Sequence, residues 1–250
     1  MCSVSAGRPF LSARWLDLVM LNWRVPAAML EPLAPAGTTL DCWNGEHYVS
    51  VIGFRFADTR MLGVPIPFHR NFLEVNLRFY VKRIMDGEVR RGVCFLRELV
   101  PRRAIALTAR LLYNEPYRAV RMSHRIEPHE MAAERSLVEY SWQQAGQWSR
   151  ISVAPAGAPL PPAAGSLEEF ITEHYWGYTR QRDGGTVEYR VTHPRWRIWQ
   201  VSRPTFEGDP AATYGSEFGE VLARSPDSAF LADGSDIAVF MPVRLKPSMP

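Results

Sequence analysis

The sequence runs to 250 residues, 46% of them hydrophobic and 22% charged, with a formal net charge of +3. That is too apolar for a disordered chain and long enough for one sizeable core, so a single domain over residues 1–250 is expected. The positive residues are scattered among acidic ones, which argues against a nucleic-acid partner.

In chain order, Trp15 to Trp23 reads as an apolar strand and Pro26 to Leu33 as a short Pro-first helix, ended by Pro32 and Pro35. Thr38 to Trp43 and His47 to Phe56 flank Asn44-Gly45, a two-residue turn signal, and are expected to pair as a hairpin. Glu74 to Val81 alternates, with Val75, Leu77, Phe79 and Val81 on one face and Glu74, Asn76, Arg78 and Tyr80 on the other. Arg91 to Glu98 follows as a strand, then Pro101 to Tyr113 as a helix with Ala104, Leu107, Leu111 and Leu112 along its apolar stripe.

Further strands are predicted at Arg118 to Glu127, Arg135 to Trp142 and Trp148 to Ala154. Pro155 to Gly165, reading PAGAPLPPAAG, is expected to be a stiff connecting loop. Ser166-Leu167-Glu168-Glu169 is a capping box that starts a helix at Leu167. Tyr175 to Gln181 and Val187 to Thr192 enclose Asp183-Gly184-Gly185 as a second hairpin. Pro210 to Leu222 can hold a short helix, and Ile237 to Leu245 is a final apolar strand. Roughly ten strands in series with three or four short helices predict a mainly β, α+β fold, an antiparallel barrel or sandwich with peripheral helices.

Cys2, Cys42 and Cys94 form no CxxC pair, so neither a disulfide framework nor a zinc site is expected. With no signal-like stretch at the start and no run near the ~20 apolar residues of a membrane span, a cytoplasmic chain without a membrane partner is expected. A homo-oligomer is left open.

No phosphate-loop, dinucleotide, metalloprotease or serine-nucleophile motif occurs, so neither a cofactor nor a metal is expected. What remains are polar constellations. Glu74, Asn76 and Arg78 at period two make either a solvated outer face or the polar wall of a pocket. Arg110 with Tyr113-Asn114-Glu115-Pro116-Tyr117-Arg118 makes either a helix stop or a loop holding functional groups on a rigid scaffold. His174 and His193 are candidates for a general base or oriented donor, whereas His124 and His129 suit structural roles better than metal ligation. In HPRWRIWQ the tryptophans suit core or pocket lining, with the arginine stems covering them.

Taken in order, FLSARWLDLVMLNWRVPAAMLEPLAPAG, FLEVNLRFYV, ALTARLLYNEPYRAVRM, GSLEEFITEHYWGYT and HPRWRIW resemble the uncharacterised bacterial YqjF-like family, grouped with the acetoacetate decarboxylases. The resemblance covers nearly the whole chain and implies a cone-like antiparallel β-barrel with the site inside. By the same likeness Arg14 matches an active-site arginine, Glu74 a pocket glutamate and Arg110 the arginine before the catalytic loop. The decarboxylases continue from that loop's proline into two lysines, one forming a Schiff base and the other lowering its pKa. Here Pro116 is followed by Tyr117 and Arg118, neither of which forms an imine, and Lys82 and Lys246 are the only lysines.

The resulting expectation is a pocket carrying Glu74, Tyr117 and Arg118 as catalytic candidates. Arg14, Asn76, Arg78, Arg110, His174 and His193 are the binding candidates. Such a pocket would take a small anionic or carbonyl-bearing ligand without Schiff-base decarboxylation. Two alternatives stand beside it, a cofactor-independent acid–base enzyme of lyase, hydrolase or isomerase type using the same pocket, and a non-catalytic scaffold or partner-binding protein with a filled barrel.

Overall fold

The computed structural model describes residues 7–102, 114–128 and 135–245. The helix expected from Pro101 to Tyr113 falls almost wholly outside these residues, and so does Arg110. The described strands are β1 (Leu11–Val25), β2 (Thr39–Leu40), β3 (His47–Met61), β4 (Val64–Pro65), β5 (Phe72–Met85), β6 (Glu88–Val100), β7 (Tyr117–Ala119), β8 (Met122–Pro128), β9 (Arg135–Gln144), β10 (Gln147–Leu160), β11 (Trp176–Arg180), β12 (Thr186–Thr192), β13 (Ile198–Glu207), β14 (Ser228–Val239) and β15 (Val243–Leu245). Short helices α1 (Ala27–Leu30), α2 (Leu167–Thr172), α3 (Pro210–Tyr214) and α4 (Ser216–Leu222) lie between them. The chain is therefore mainly β, as the sequence patterning predicts. None of the described helices is long and apolar enough to cross a membrane.

The strands form one sheet in the order β15-β12-β11-β6-β5-β3-β1-β14-β13-β10-β9-β8, with β12 also pairing β14 at Val191↔Val239 and Thr192↔Ala238. Pairing is antiparallel apart from β6 with β11 and β6 with β7. The long strands β1, β3 and β5 separate two apolar clusters. On one side Val19, Leu21, Val51, Leu77 and Phe79 pack with Tyr140, Trp142, Ile151 and Val153 of β9 and β10. On the other, Leu18, Met20, Ile52 and Phe54 pack with Phe170 and Trp196. Each large side chain so buried contributes roughly 1.5–3 kcal/mol.

Residue parity decides which cluster a side chain joins, and a bulge resets it. In β1, Ala13 and Leu18 both join the second cluster because the β1–β3 register shifts between Leu16 and Val19, where Asp17 takes φ 57°. In β5 no reset intervenes over the central stretch. Val75, Leu77, Phe79 and Val81 enter the filled core, and Glu74, Asn76, Arg78 and Tyr80 face the other way.

Several expected elements are corrected. Asn44 (φ 50°) and Gly45 (φ 81°) do make the turn, and Trp43 bridges Glu46. The hairpin goes no further, because β3 is already flanked by β1 and β5, and Thr39 and Leu40 pair with Lys82 and Val81 instead. The connecting loop expected from Pro155 is shorter, since β10 runs on to Leu160 against β13 with Pro155 opposite Val201. Pro155 is tolerated there because β9 pairing has ended at Val153, so that among the described residues no strand pairs with that edge of β10.

The strand expected from Arg118 to Glu127 is two strands with different partners, β7 on β6 and β8 on β9. The helix expected from Pro210 to Leu222 breaks at Gly215, φ 88°. The last strand is likewise two, β14 starting earlier at Ser228 and β15 following separately. Ser166 caps α2 by accepting from the Glu169 N–H at 3.2 Å, while the Glu169 carboxylate accepts from Gly165 N–H at 2.7 Å rather than from Ser166.

Candidate functional site

The inward face of β5 borders a cavity of about 360 Å³. Its walls are largely aromatic. Trp15 meets Phe54, Phe56 and Trp196 edge-on at 5.3, 5.9 and 6.1 Å between ring centroids, and Phe56 stacks on Phe72 at 4.3 Å. Against these walls stand three glutamates, Glu74, Glu98 and Glu115, all of them buried and all bordering the cavity.

Glu74 is held at both oxygens. Asn76 Nδ2 donates to Oε1 at 3.0 Å and the Tyr117 hydroxyl donates to Oε2 at 3.1 Å. Tyr117 reaches it because β7 lies parallel on β6 with Tyr117 opposite Glu98, one strand away from β5. Burial pushes the Glu74 carboxyl up to about 7; the Glu115 charge adds to this, while the bonds from Asn76 and Tyr117 oppose it. Glu115 is likewise pushed to about 7 by burial, against bonds from the Tyr189 hydroxyl and from Thr179. Burial, with Glu115 and Glu74 nearby, raises Glu98 well above the usual carboxylate range. Gly177 permits the Tyr189–Glu115 contact, because a Cβ there would collide with the Tyr189 ring.

Further along β5, Arg78 is fixed by Nη2 donating to the Ile171 carbonyl at 3.0 Å and Nε to the Tyr80 hydroxyl at 3.4 Å. His174 packs on Tyr80 at 4.7 Å and on Phe170 at 5.1 Å, with Nε2 3.4 Å from Asp41 Oδ2. Burial lowers its pKa to about 4, so the ring is neutral near pH 7. His193 stacks on Trp196 at 4.1 Å, and burial lowers its pKa too.

Of the residues predicted from sequence, Glu74, Asn76, Arg78, Tyr117, His174 and His193 all border this one cavity. Two do not. Arg118 is exposed beside the Gln144 amide, because consecutive residues of β7 point to opposite faces and Tyr117 takes the inward one. Arg14 is half exposed and lies 3.6 Å from Asp236. Glu98 and Tyr189 were missed, and Glu115, although inside the Tyr113–Arg118 segment singled out from sequence, was not chosen as a site residue. Glu115 shares its parity with Tyr117, a signal that could have found it. Lys82 does not line the cavity; its Nζ lies 3.7 Å from Asp41 Oδ1, while Arg91 and His174 share Oδ2. No group of three or more His, Cys, Asp or Glu among the described residues is arranged to hold a metal ion.

The comparisons with known proteins agree on the fold, a mainly β sheet of the acetoacetate decarboxylase-like kind. Residues 12–236 match the DUF2071 family, described as an uncharacterized conserved protein, and the chain belongs to that family. The uncharacterized protein YqjF of Bacillus subtilis (strain 168) is 28% identical over 193 residues, 77% of this chain and 76% of that protein.

Among solved structures, acetoacetate decarboxylase from Legionella pneumophila is similar with a TM-score of 0.68 at 12% identity, over 95% of this chain and 87% of that one. An acetoacetate decarboxylase-like enzyme from Sphingomonas wittichii RW1 gives 0.63 at 17% identity, over 95% and 94%. The enduracididine biosynthesis enzyme MppR complexed with pyruvate gives 0.65 at 13% identity, over 98% and 94%. At these identities the likeness concerns the fold alone.

Proposed function

We propose that the chain is one domain in which pairing of β12 with β14 rolls the sheet into a barrel, and that the enclosed cavity binds a small carboxylate- or carbonyl-bearing molecule. The observation that carries this reading is the meeting of Glu74 and Tyr117, from separate strands, at 3.1 Å beside an aromatic cavity. Arg78 supplies the oxygen-binding end. Its Nε and Nη2 are committed to Tyr80 and Ile171, which orients the guanidinium and leaves Nη1 for a ligand oxygen.

A second reading, acid–base catalysis, is favoured by the Glu74 carboxyl at about 7. A group poised there can take a proton from a carbon beside a carbonyl and return it, with Arg78 stabilising the enolate oxygen in between. Imine chemistry has no place in either reading. Lys82 is drawn to Asp41 rather than to the cavity, and neither Tyr117 nor Arg118 carries an amine.

A thermal-shift screen of small keto acids, ketones and carboxylates on the intact chain tests the reading. Binding at about 100 times Kd should stabilise the chain by roughly 2.7 kcal/mol, with the response weakened in Glu74→Gln and abolished in Arg78→Met. An absence of any response, or variants that respond like the parent, would overturn it. Borohydride trapping with a keto acid should leave Lys82 unlabelled.

A further inference from the structure

The cavity has two chemically different ends, and this inference rests on its being a ligand site. Arg78 marks one end. Asn76, Glu98 and Glu115 mark the other, and we propose that these three hold a primary ammonium group, so that the ligand is a small amino-carboxylate or amino-carbonyl compound with its oxygen at Arg78.

Two buried acceptors there lack donors among the described residues, and a further glutamate oxygen receives none of the bonds made to its carboxylate. The Asn76 amide is oriented by its N–H bond to Glu74, which leaves Oδ1 buried without a partner. Glu98 Oε2 is buried without a partner as well. Both hydrogen bonds received by Glu115, from Tyr189 and Thr179, fall on Oε1, which leaves Oε2 for another donor. Asn76 and Glu98 are only 2% and 1% exposed, so bulk water does not supply the missing bonds.

The backbone brings the three together. Asn76 stands directly opposite Glu98 in the β5–β6 ladder. The Glu98 N–H donates to the Pro116 carbonyl at 3.2 Å, which lays Glu115-Pro116-Tyr117 alongside. An ammonium group carries three N–H donors and the charge that carboxylates favour. An anion at this end would instead face Glu98 and Glu115, with Glu74 bonded to Asn76 beside them. The described carboxylates are not grouped to hold a metal ion, so an organic cation is the occupant that fits. Asn76 and Arg78 are two residues apart on one face, which sets their Cβ atoms about 7 Å apart and calls for a short linear ligand.

Isothermal titration calorimetry on the intact chain with 5-aminopentanoate, pentanoate and pentylamine tests the inference. The amino acid should bind about tenfold or more tighter than either monofunctional compound, and Glu98→Gln and Glu115→Gln should each shrink that ratio. Ammonium binding also drives the proton off Glu115, whose buried carboxyl sits at about 7. The binding enthalpy of 5-aminopentanoate should therefore vary with the ionisation enthalpy of the buffer, and its affinity should rise between about pH 6 and about pH 8. That measurement needs no variant, so it decides the matter even if a substituted chain fails to fold. Equal affinity for 5-aminopentanoate and pentanoate, with no buffer dependence, overturns this inference and leaves the cavity standing as a carboxylate site. Silence from all three compounds and from the keto compounds overturns both.

Discussion

The Tyr117 hydroxyl donates to Glu74 Oε2 across 43 positions of sequence, joining β7 to β5. The bond stabilises the ionised form of a carboxyl that burial pushes toward the neutral one. In Tyr117→Phe the Glu74 titration should therefore move further above about 7, as read by carbon NMR of labelled glutamate. A buried carboxyl deprived of a partner should also lower unfolding stability by roughly 1–3 kcal/mol. An unmoved titration would mean that the two groups do not interact in solution.

Stability should depend on pH through Glu115. Its folded pKa of about 7 lies above the ordinary value of 4.5, so the folded state binds the proton more tightly than the unfolded state does. The resulting stabilisation is complete below about 4.5 and is lost as pH rises through about 7. The difference in melting temperature between the parent chain and Glu115→Gln should fall steadily over that window. A difference that stays flat or rises would contradict the burial argument.

Gly177 is tested by addition rather than removal. Gly177→Ala places a methyl group against the Tyr189 ring and should destabilise the fold by about 1–3 kcal/mol, measured by denaturant unfolding. Adding Tyr189→Leu should recover part of that loss, because the obstruction is one specific ring. If the double variant is no better than the single one, the strain lies elsewhere.

The arginines separate by position. Arg118→Ala and Arg14→Ala should each alter stability by no more than about 0.5 kcal/mol and leave the ligand-induced shift intact, since both side chains lie outside the cavity. Arg78→Ala should abolish the shift. Loss of ligand response in Arg118→Ala would restore that residue to the site.

Much of the cavity was legible because β5 keeps strict alternation from Glu74 to Val81, which assigns a charged face and an apolar face without reference to any other strand. The same rule, applied to Tyr117 and Arg118, forbids both from facing inward, and selecting the pair overlooked it. Glu98 was hidden for the opposite reason. Counting by twos from Val93 and Phe95 points Arg97 inward, but the β5–β6 register shifts between Leu77 and Arg78, and the residue inserted there turns Glu98 into the cavity. The failed hairpin after Leu40 had a similar cause. The turn chemistry at Asn44-Gly45 was read correctly, yet it could not reveal that both edges of β3 were already occupied.

The filled core behind β5 bears on how such a fold diversifies. The odd-numbered residues Val75, Leu77 and Phe79 anchor the strand from behind, while the even-numbered Glu74, Asn76 and Arg78 meet whatever enters in front. A codon change at an even position can alter recognition while the odd positions keep the strand in place. Selection for a new ligand and selection for a standing fold thus act on interleaved sites rather than competing for the same ones.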